Sequence, residues 1–328
     1  MARVFRRHLS GGRILVPLNQ RLRGIHVRMG SRSTFLAVVL LLVTVSTTLA
    51  APPGWPNTNP SADAKVRESF VWIPAGDHMI PGILALPKAG GAAGSYPAVL
   101  MLHGFASQKD EVGDMYLREA RALAERGVAS LRIDFAGTGD SQQPYIANTW
   151  TGMVSDAVTA FDWLVANPRT IDDRVGVLGF SMGSKVGLGL VAERPEVAAF
   201  ASWSGALDDG IPDGFIGLYP EAQANGSVVL DLGFAVVELS LAWFDTMIAS
   251  MPLTDAAGYA GPVLAVAGSE DTTVDPSVSQ AFLATLSSSD ETLQIIQGAD
   301  HIYHVLTPDQ TLAEAAITIT ANWIADRL

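Results

Sequence analysis

The sequence predicts an α/β fold: a mostly parallel, twisted sheet with helices on both faces and a small cap insertion. Three observations lead there. Short, wholly apolar runs such as residues 98–102 and 198–203 have the length of strands buried on both sides. Between such runs lie stretches of helical period, most plainly Trp150, Met153, Val154, Ala157, Val158, Phe161 and Leu164. The two patterns alternate along most of the chain, which calls for parallel strands joined by right-handed crossovers.

The elements follow in order. Residues 69–74 and 79–87 are strand-like, with a Gly76-Asp77 turn between them, and suggest an antiparallel hairpin at a sheet edge. The run 98–102 ends at His103-Gly104-Phe105. A helix over 114–126 closes at Gly127, and a strand over 128–133 precedes Asp134. After the long amphipathic helix come a strand over 174–178 and a helix over 182–193, stopped by Pro195. Residues 198–203, 262–267 and 292–296 are further strands, and 312–324 is a final helix. Residues 205–258 break the alternation with glycines and the aromatics Phe215, Tyr219, Phe234, Trp243 and Phe244. They read as a cap over the carboxyl ends of the strands. Its aromatics suit an apolar acyl or aryl pocket, with Trp243 and Phe244 beside Phe105 at the substrate; they equally suit a miniature core of the cap itself.

Composition bounds the rest. Of 328 residues, 48% are hydrophobic and 16% charged, which excludes a disordered or fibrous chain. With no cysteine there is no disulfide, no thiolate metal site and no thiol nucleophile. The formal charge of −12 repels phosphate backbones, so no nucleic-acid partner is expected. Residues 1–50 hold eight arginines and no acid; without those eight, the 21 basic residues fall to 13 against 33 acids, a net −20.

That basic stretch, the apolar run 35–45 and the small residues Thr48-Leu49-Ala50 read as a secretory signal, with Met29 a possible true start. The expected organisation is a signal peptide over 1–50, a Pro- and Asn-rich linker over 51–65 and a catalytic domain over 66–328, with the cap at about 205–258. Export to a secreted or periplasmic location follows. The alternative is a membrane anchor over residues 35–50, although the apolar run is shorter than the roughly 20 residues a span uses. Only that anchor would provide a stable membrane partner.

The chemistry centres on Gly179-Phe180-Ser181-Met182-Gly183. A serine between a strand end and a helix start, flanked by glycines, is held clear of the backbone as a nucleophile. The Phe105 amide, just past a buried strand, and the Met182 amide, at a helix N-terminus, would make a two-donor oxyanion hole. The base must be a histidine. His8 and His26 lie in the signal, His78 in the first hairpin and His103 before the serine, where it reads as loop packing. His301 and His304 remain, in the loop after the last strand; His301 comes first and is favoured. Asp271, after the strand 262–267, is the favoured carboxylate to orient it. Glu270 and Asp275 read as solvated or capping acids, and Asp208 or Asp209 is the other position for the carboxylate.

Residues 103–111 (His-Gly-Phe-Ala-Ser-Gln-Lys-Asp-Glu) and 132–141 (Arg-Ile-Asp-Phe-Ala-Gly-Thr-Gly-Asp-Ser) resemble matching stretches of bacterial cinnamoyl and feruloyl esterases and related serine esterases. Gly-Phe-Ser-Met-Gly, Asp271 and Gly-Ala-Asp-His resemble their nucleophile elbow, acid and histidine. The resemblance spans about residues 66–328 and implies the α/β-hydrolase fold and a serine carboxylesterase with a small cap. It needs no metal and no cofactor; its partner is a small-molecule ester. Asp134 would then be structural, bonding turn amides around Gly137 and Gly139. Ser184, where many relatives carry glycine, and the cap depart from the pattern. A serine aminopeptidase-like enzyme and a perhydrolase or haloperoxidase-like enzyme are the alternatives on the same scaffold. The sequence leaves oligomeric state open.

Overall fold

A computed structural model describes residues 65–88 and 94–328. The expected signal peptide and nearly all of the linker lie outside the described residues. Eight strands form one sheet: β1 (Val66–Ala75), β2 (His78–Pro87), β3 (Tyr96–Leu102), β4 (Ala129–Ile133), β5 (Thr170–Phe180), β6 (Phe200–Trp203), β9 (Val263–Gly268) and β10 (Glu291–Ile296). Their spatial order is β1-β2-β4-β3-β5-β6-β9-β10. The first two strands pair as an antiparallel hairpin through Gly76-Asp77, and β2 also runs antiparallel to β4. Every pair from β4 to β10 is parallel. The carboxyl ends of β3, β5, β9 and β10 therefore open on one rim, where the strand-end loops can meet.

Both faces of the sheet are covered, which is why the central strands are apolar throughout. Side chains alternate strictly: Ala98, Leu100 and Leu102 of β3 join one core, Val99 and Met101 the other. Helices α2 (Trp150–Val165) and α3 (Met182–Glu193) pack on the first face through Phe161, Leu164, Val186 and Leu190. Helices α1 (Met115–Glu125) and α9 (Thr311–Arg327) pack on the second through Tyr116, Leu123, Ile317 and Trp323. Helix α8 (Ser277–Leu283) adds Phe282 to the first face.

The insertion between β6 and β9 holds helices α4 (Asp213–Ile216), α5 (Tyr219–Asn225), α6 (Leu241–Ile248) and α7 (Pro252–Asp255). It also holds a two-stranded antiparallel sheet, β7 (Ser227–Asp231) with β8 (Val236–Ser240). That hairpin is absent from the sequence reading. Its alternation is short: Val228, Val237 and Leu239 face inward while Val229, Val236 and Glu238 face out. No helix of the described residues is long and apolar enough to cross a membrane.

Candidate active site

Ser181 sits between the last residue of β5 and the first of α3 with φ 51° and ψ −116°. A non-glycine residue rarely adopts such a backbone, and holding it costs on the order of 1–3 kcal/mol. The flanking glycines make the turn possible. A Cβ on Gly183 would lie 1.9 Å from the Leu102 carbonyl oxygen, and one on Gly179 would lie 2.4 Å from the Ser184 Cα. The Ser181 amide donates to the Trp203 carbonyl at 2.9 Å, tying the turn to β6. Ser184, the departure from the family pattern, is fully buried and hydrogen-bonds Ser202 Oγ through its own Oγ at 2.9 Å.

The Ser181 Oγ lies 3.1 Å from His301 Nε2, and His301 Nδ1 lies 2.8 Å from Asp271 Oδ2. An ionised carboxylate only accepts, so Nδ1 donates and Nε2 is left to accept the serine proton. The other Asp271 oxygen, Oδ1, accepts from the amides of Thr273 at 2.8 Å and Val274 at 2.9 Å. Asp271 is buried, and these three donors replace its lost water. Asp300 shapes the turn that presents His301: its Oδ1 accepts from the amides of Ile302 and His304. The three favoured side chains thus come together at one rim.

The alternatives go elsewhere. His304 points toward Asp300 Oδ2 at 3.9 Å. Asp208 accepts from the buried Lys185 Nζ, through its carbonyl and its carboxylate, while Asp209 caps the start of α7 by accepting from Leu253 N and Thr254 Oγ1. Asp275 caps Ser277. His78 lies on β2, hydrogen-bonded to Asp77 and Asp156. His103 is buried: its Nε2 accepts from the Phe135 amide and its Nδ1 donates to the Gly104 carbonyl. Burial pushes its pKa below the usual histidine value and keeps the ring neutral.

Phe105 and Met182 line the same cavity as Ser181 and His301, and among the described residues neither backbone N–H donates to a protein acceptor. The loop carrying the Phe105 amide is held by a residue the sequence reading left without a role. Glu111 is buried; its Oε2 accepts from Gly104 N at 2.7 Å and its Oε1 from Ser107 Oγ at 2.6 Å and Val112 N at 2.9 Å. It lies inside the stretch 103–111, but one acid in a loop leaves no periodic trace. Lys109 is likewise buried, with its Nζ on Asp134 Oδ2 at 2.6 Å and its amide on Asp134 Oδ1 at 2.7 Å. Asp134 is structural as implied, although the turn amide it bonds is that of Asp140 rather than of the glycines. Gly139 is needed because a Cβ there would lie 2.2 Å from Asp134 Oδ1.

Two substrate-side expectations are corrected. Trp243 and Phe244, expected at the substrate, are fully buried and do not line the cavity. They pack into the cap's own core, ring against ring at 4.9 Å, with Trp243 5.2 Å from Phe215. Of the aromatics singled out in the insertion, Phe215 and Phe234 line the cavity and Tyr219 does not. Phe105 does line it, stacked edge-on against Phe215 at 4.9 Å.

An eight-stranded sheet in this order, with a serine on the elbow after β5 and a cap between β6 and β9, is the α/β-hydrolase fold. Comparison with known proteins agrees. The sequence model of a family described as serine aminopeptidase, S33, matches residues 95–223; the match includes Phe105, Ser181 and Met182 and stops before Asp271 and His301. Among curated proteins, the chain is 34% identical over 116 residues to 2,6-dihydropseudooxynicotine hydrolase of Paenarthrobacter nicotinovorans, covering 35% of this chain and 30% of that one. It is 30% identical over 151 residues to dipeptidyl aminopeptidase BIII of Pseudoxanthomonas mexicana, covering 45% of this chain and 21% of that one. The chain spans less than half the length of each of these relatives. Among solved structures, Est1E from Butyrivibrio proteoclasticus with ferulic acid bound superposes with TM-score 0.64 at 20% identity, covering 78% of this chain and 98% of that one. GrgF from a Penicillium species gives TM-score 0.64 at 18% identity, covering 80% and 99%. These likenesses agree on the α/β-hydrolase fold.

Proposed function

We propose that this protein is an exported serine carboxylesterase. One observation carries the reading: the hydrogen-bonded line Ser181–His301–Asp271, at 3.1 and 2.8 Å, opening on a cavity. In the proposed reaction His301 Nε2 takes the Ser181 proton as Oγ attacks the ester carbonyl. The tetrahedral oxyanion is met by the amides of Phe105 and Met182, helped by the positive N-terminus of α3. His301 then gives its proton to the leaving alkoxide, so an alcohol departs and an acyl-serine remains. Water, deprotonated by the same nitrogen, attacks the acyl group; Ser181 Oγ leaves and recovers the proton, releasing the acid. Asp271 holds the ring in the required tautomer throughout.

Aryl and short acyl esters are the first substrates to try, because Phe105 and Phe215 present aromatic surface beside Ser181. A second reading, a serine aminopeptidase, is favoured by the family match over 95–223 and by the dipeptidyl aminopeptidase relative. A panel of p-nitrophenyl esters against aminoacyl p-nitroanilides separates the two. Faster ester turnover is expected; turnover of the anilides with the esters untouched overturns the proposal. Export rests on the arginine-rich start and apolar run of the first 50 residues. N-terminal sequencing of the protein recovered outside the cytoplasm should begin near Ala51; an intact N-terminus held in a membrane fraction would point to the anchor.

A further inference from the structure

The cavity beside Ser181 is larger than a short ester requires. It measures about 1140 Å³, above the range of roughly 300–1,000 Å³ that holds drug-sized ligands. The aromatic pair Phe105 and Phe215 lines it. The β7–β8 hairpin contributes Leu230, Leu232, Phe234 and Val236 to its lining. The tip is built for that position. Asp231 Oδ1 accepts from Gly233 N at 2.8 Å, Leu232 N donates to the Ala235 carbonyl at 2.9 Å, and Gly233 turns with φ 81°. The turn leaves Phe234 66% and Val236 67% exposed. Leu306, in the loop after His301, also lines the cavity and is 59% exposed. Single exposed apolar side chains are ordinary, but three in the lining of one cavity leave apolar surface in water that a ligand would cover.

Charge narrows the occupant further. Six carboxylate residues line the cavity, namely Glu111, Asp208, Asp213, Asp231, Asp275 and Asp300, and among the described lining residues there is no lysine or arginine. Of these only Asp208 has a lysine or arginine partner among the described residues, Lys185; Glu111, Asp231, Asp275 and Asp300 accept from neutral amides or a hydroxyl, which leaves the lining negative. A substrate bearing its own carboxylate meets repulsion with no lysine or arginine among the described lining residues to offset it.

From the shared cavity, its apolar hairpin wall and its lack of basic side chains, we infer that the substrate class is uncharged esters with a long or bulky apolar acyl or aryl part, which lies along the β7–β8 hairpin under Phe234. This rests on the ester-hydrolase reading and specifies which ester. The apolar group leaves water as it covers Phe234, Val236 and Leu306, and the reacting carbonyl stays at Ser181. The acyl group transferred to serine and then to water is the same as in the short-chain reaction, so no further reactant enters.

The test is a p-nitrophenyl ester series from acetate to decanoate, with hemisuccinate as the anionic member. kcat/KM should rise roughly two- to fourfold for each added methylene over the middle of the series. Hemisuccinate should fall well below butyrate. Phe234→Ala should cut the decanoate-to-acetate ratio by about tenfold, and Phe234→Leu should restore most of it. A series that falls from acetate onward, or a ratio unmoved by Phe234→Ala, overturns the inference while leaving the esterase reading in place. Equilibrium binding to Ser181→Ala separates the two claims from the other side. Tight decanoate-ester binding that weakens with added Phe234→Ala supports the cavity assignment even if wild-type turnover is absent and the esterase reading falls. Equal binding of acetate and decanoate esters overturns it.

Discussion

The rim of the sheet and the cap above it enclose one cavity but are built on different rules. At the rim, every chemical group sits within a few residues of a strand end, and backbone geometry allows little else there. Ser181 follows β5 on a positive-φ turn that two glycines permit, Asp271 follows β9, and His301 follows β10. In the cap, aromatic residues of similar character are divided between two duties by folding alone. Trp243 and Phe244 are fully buried in its core, while Phe234 is 66% exposed at the cavity mouth. Position relative to a strand end therefore identifies which residues meet at the rim, whereas residue type in an insertion does not identify a contact.

If that contrast holds, a change at the rim should cost rate and a change in the cap core should cost stability. Asp271→Asn leaves the size of the side chain but removes the acceptor that fixes the His301 tautomer; kcat should fall by about 10⁴-fold with KM little changed, read from steady-state kinetics. A loss under tenfold would mean that Asp271 is not the partner of the base. Trp243→Ala should lower the unfolding free energy by about 3–5 kcal/mol in urea titration, because it empties a fully buried site that supports Phe215 and Phe244. A loss below about 1 kcal/mol would show a cap held together without that core.

Glu111 belongs to the rim but works through backbone. Glu111→Gln replaces one acceptor oxygen by an NH₂ that cannot accept from Gly104 or Ser107, so the Phe105 amide loses its brace. kcat should fall by roughly 10–100-fold, with a smaller effect on KM and a modest drop in melting temperature. A drop in stability with unchanged kcat would make Glu111 only a structural support.

The smallest expected effect lies away from both regions. Glu119 on α1 is fully buried, and among the described residues neither carboxyl oxygen has a hydrogen-bond partner. Burial raises its pKa well above the usual carboxyl value, and Glu314 adds to this while Arg126 opposes it. A raised folded-state pKa means that the folded state holds the proton more tightly than the unfolded one. Its contribution to stability is complete below the ordinary carboxyl range and is lost as pH rises through the raised value. Glu119→Leu should therefore stabilise the protein by about 1–3 kcal/mol on the alkaline side, with a smaller gain in acid, in melting curves across pH. An equal shift at all pH values would mean that Glu119 does not titrate differently on folding.

The strand-helix alternation was legible because burial is imposed along whole elements, as a continuous apolar run in β3 and a 3.6-residue period in α2. Ser181, Asp271 and His301 were legible because each occupies a turn whose neighbours are glycine or acid at short range. The supports were not. Glu111 and Lys109 are charged residues in a loop and Lys185 one in the first turn of α3, and their burial depends on partners that are distant along the chain or few in number. The β7–β8 hairpin was missed for the same reason: its inward face is three residues, Val228, Val237 and Leu239, too few to register as a period.

The central claim is that Ser181, activated by His301, is the nucleophile. Treating the protein with an alkyl fluorophosphonate and locating the adduct by mass spectrometry of its peptides tests it most directly. A single adduct on Ser181, absent in Ser181→Ala and formed more slowly in Asp271→Asn, is the expected result. No adduct, or one that persists on another residue of Ser181→Ala at the wild-type rate, would contradict it.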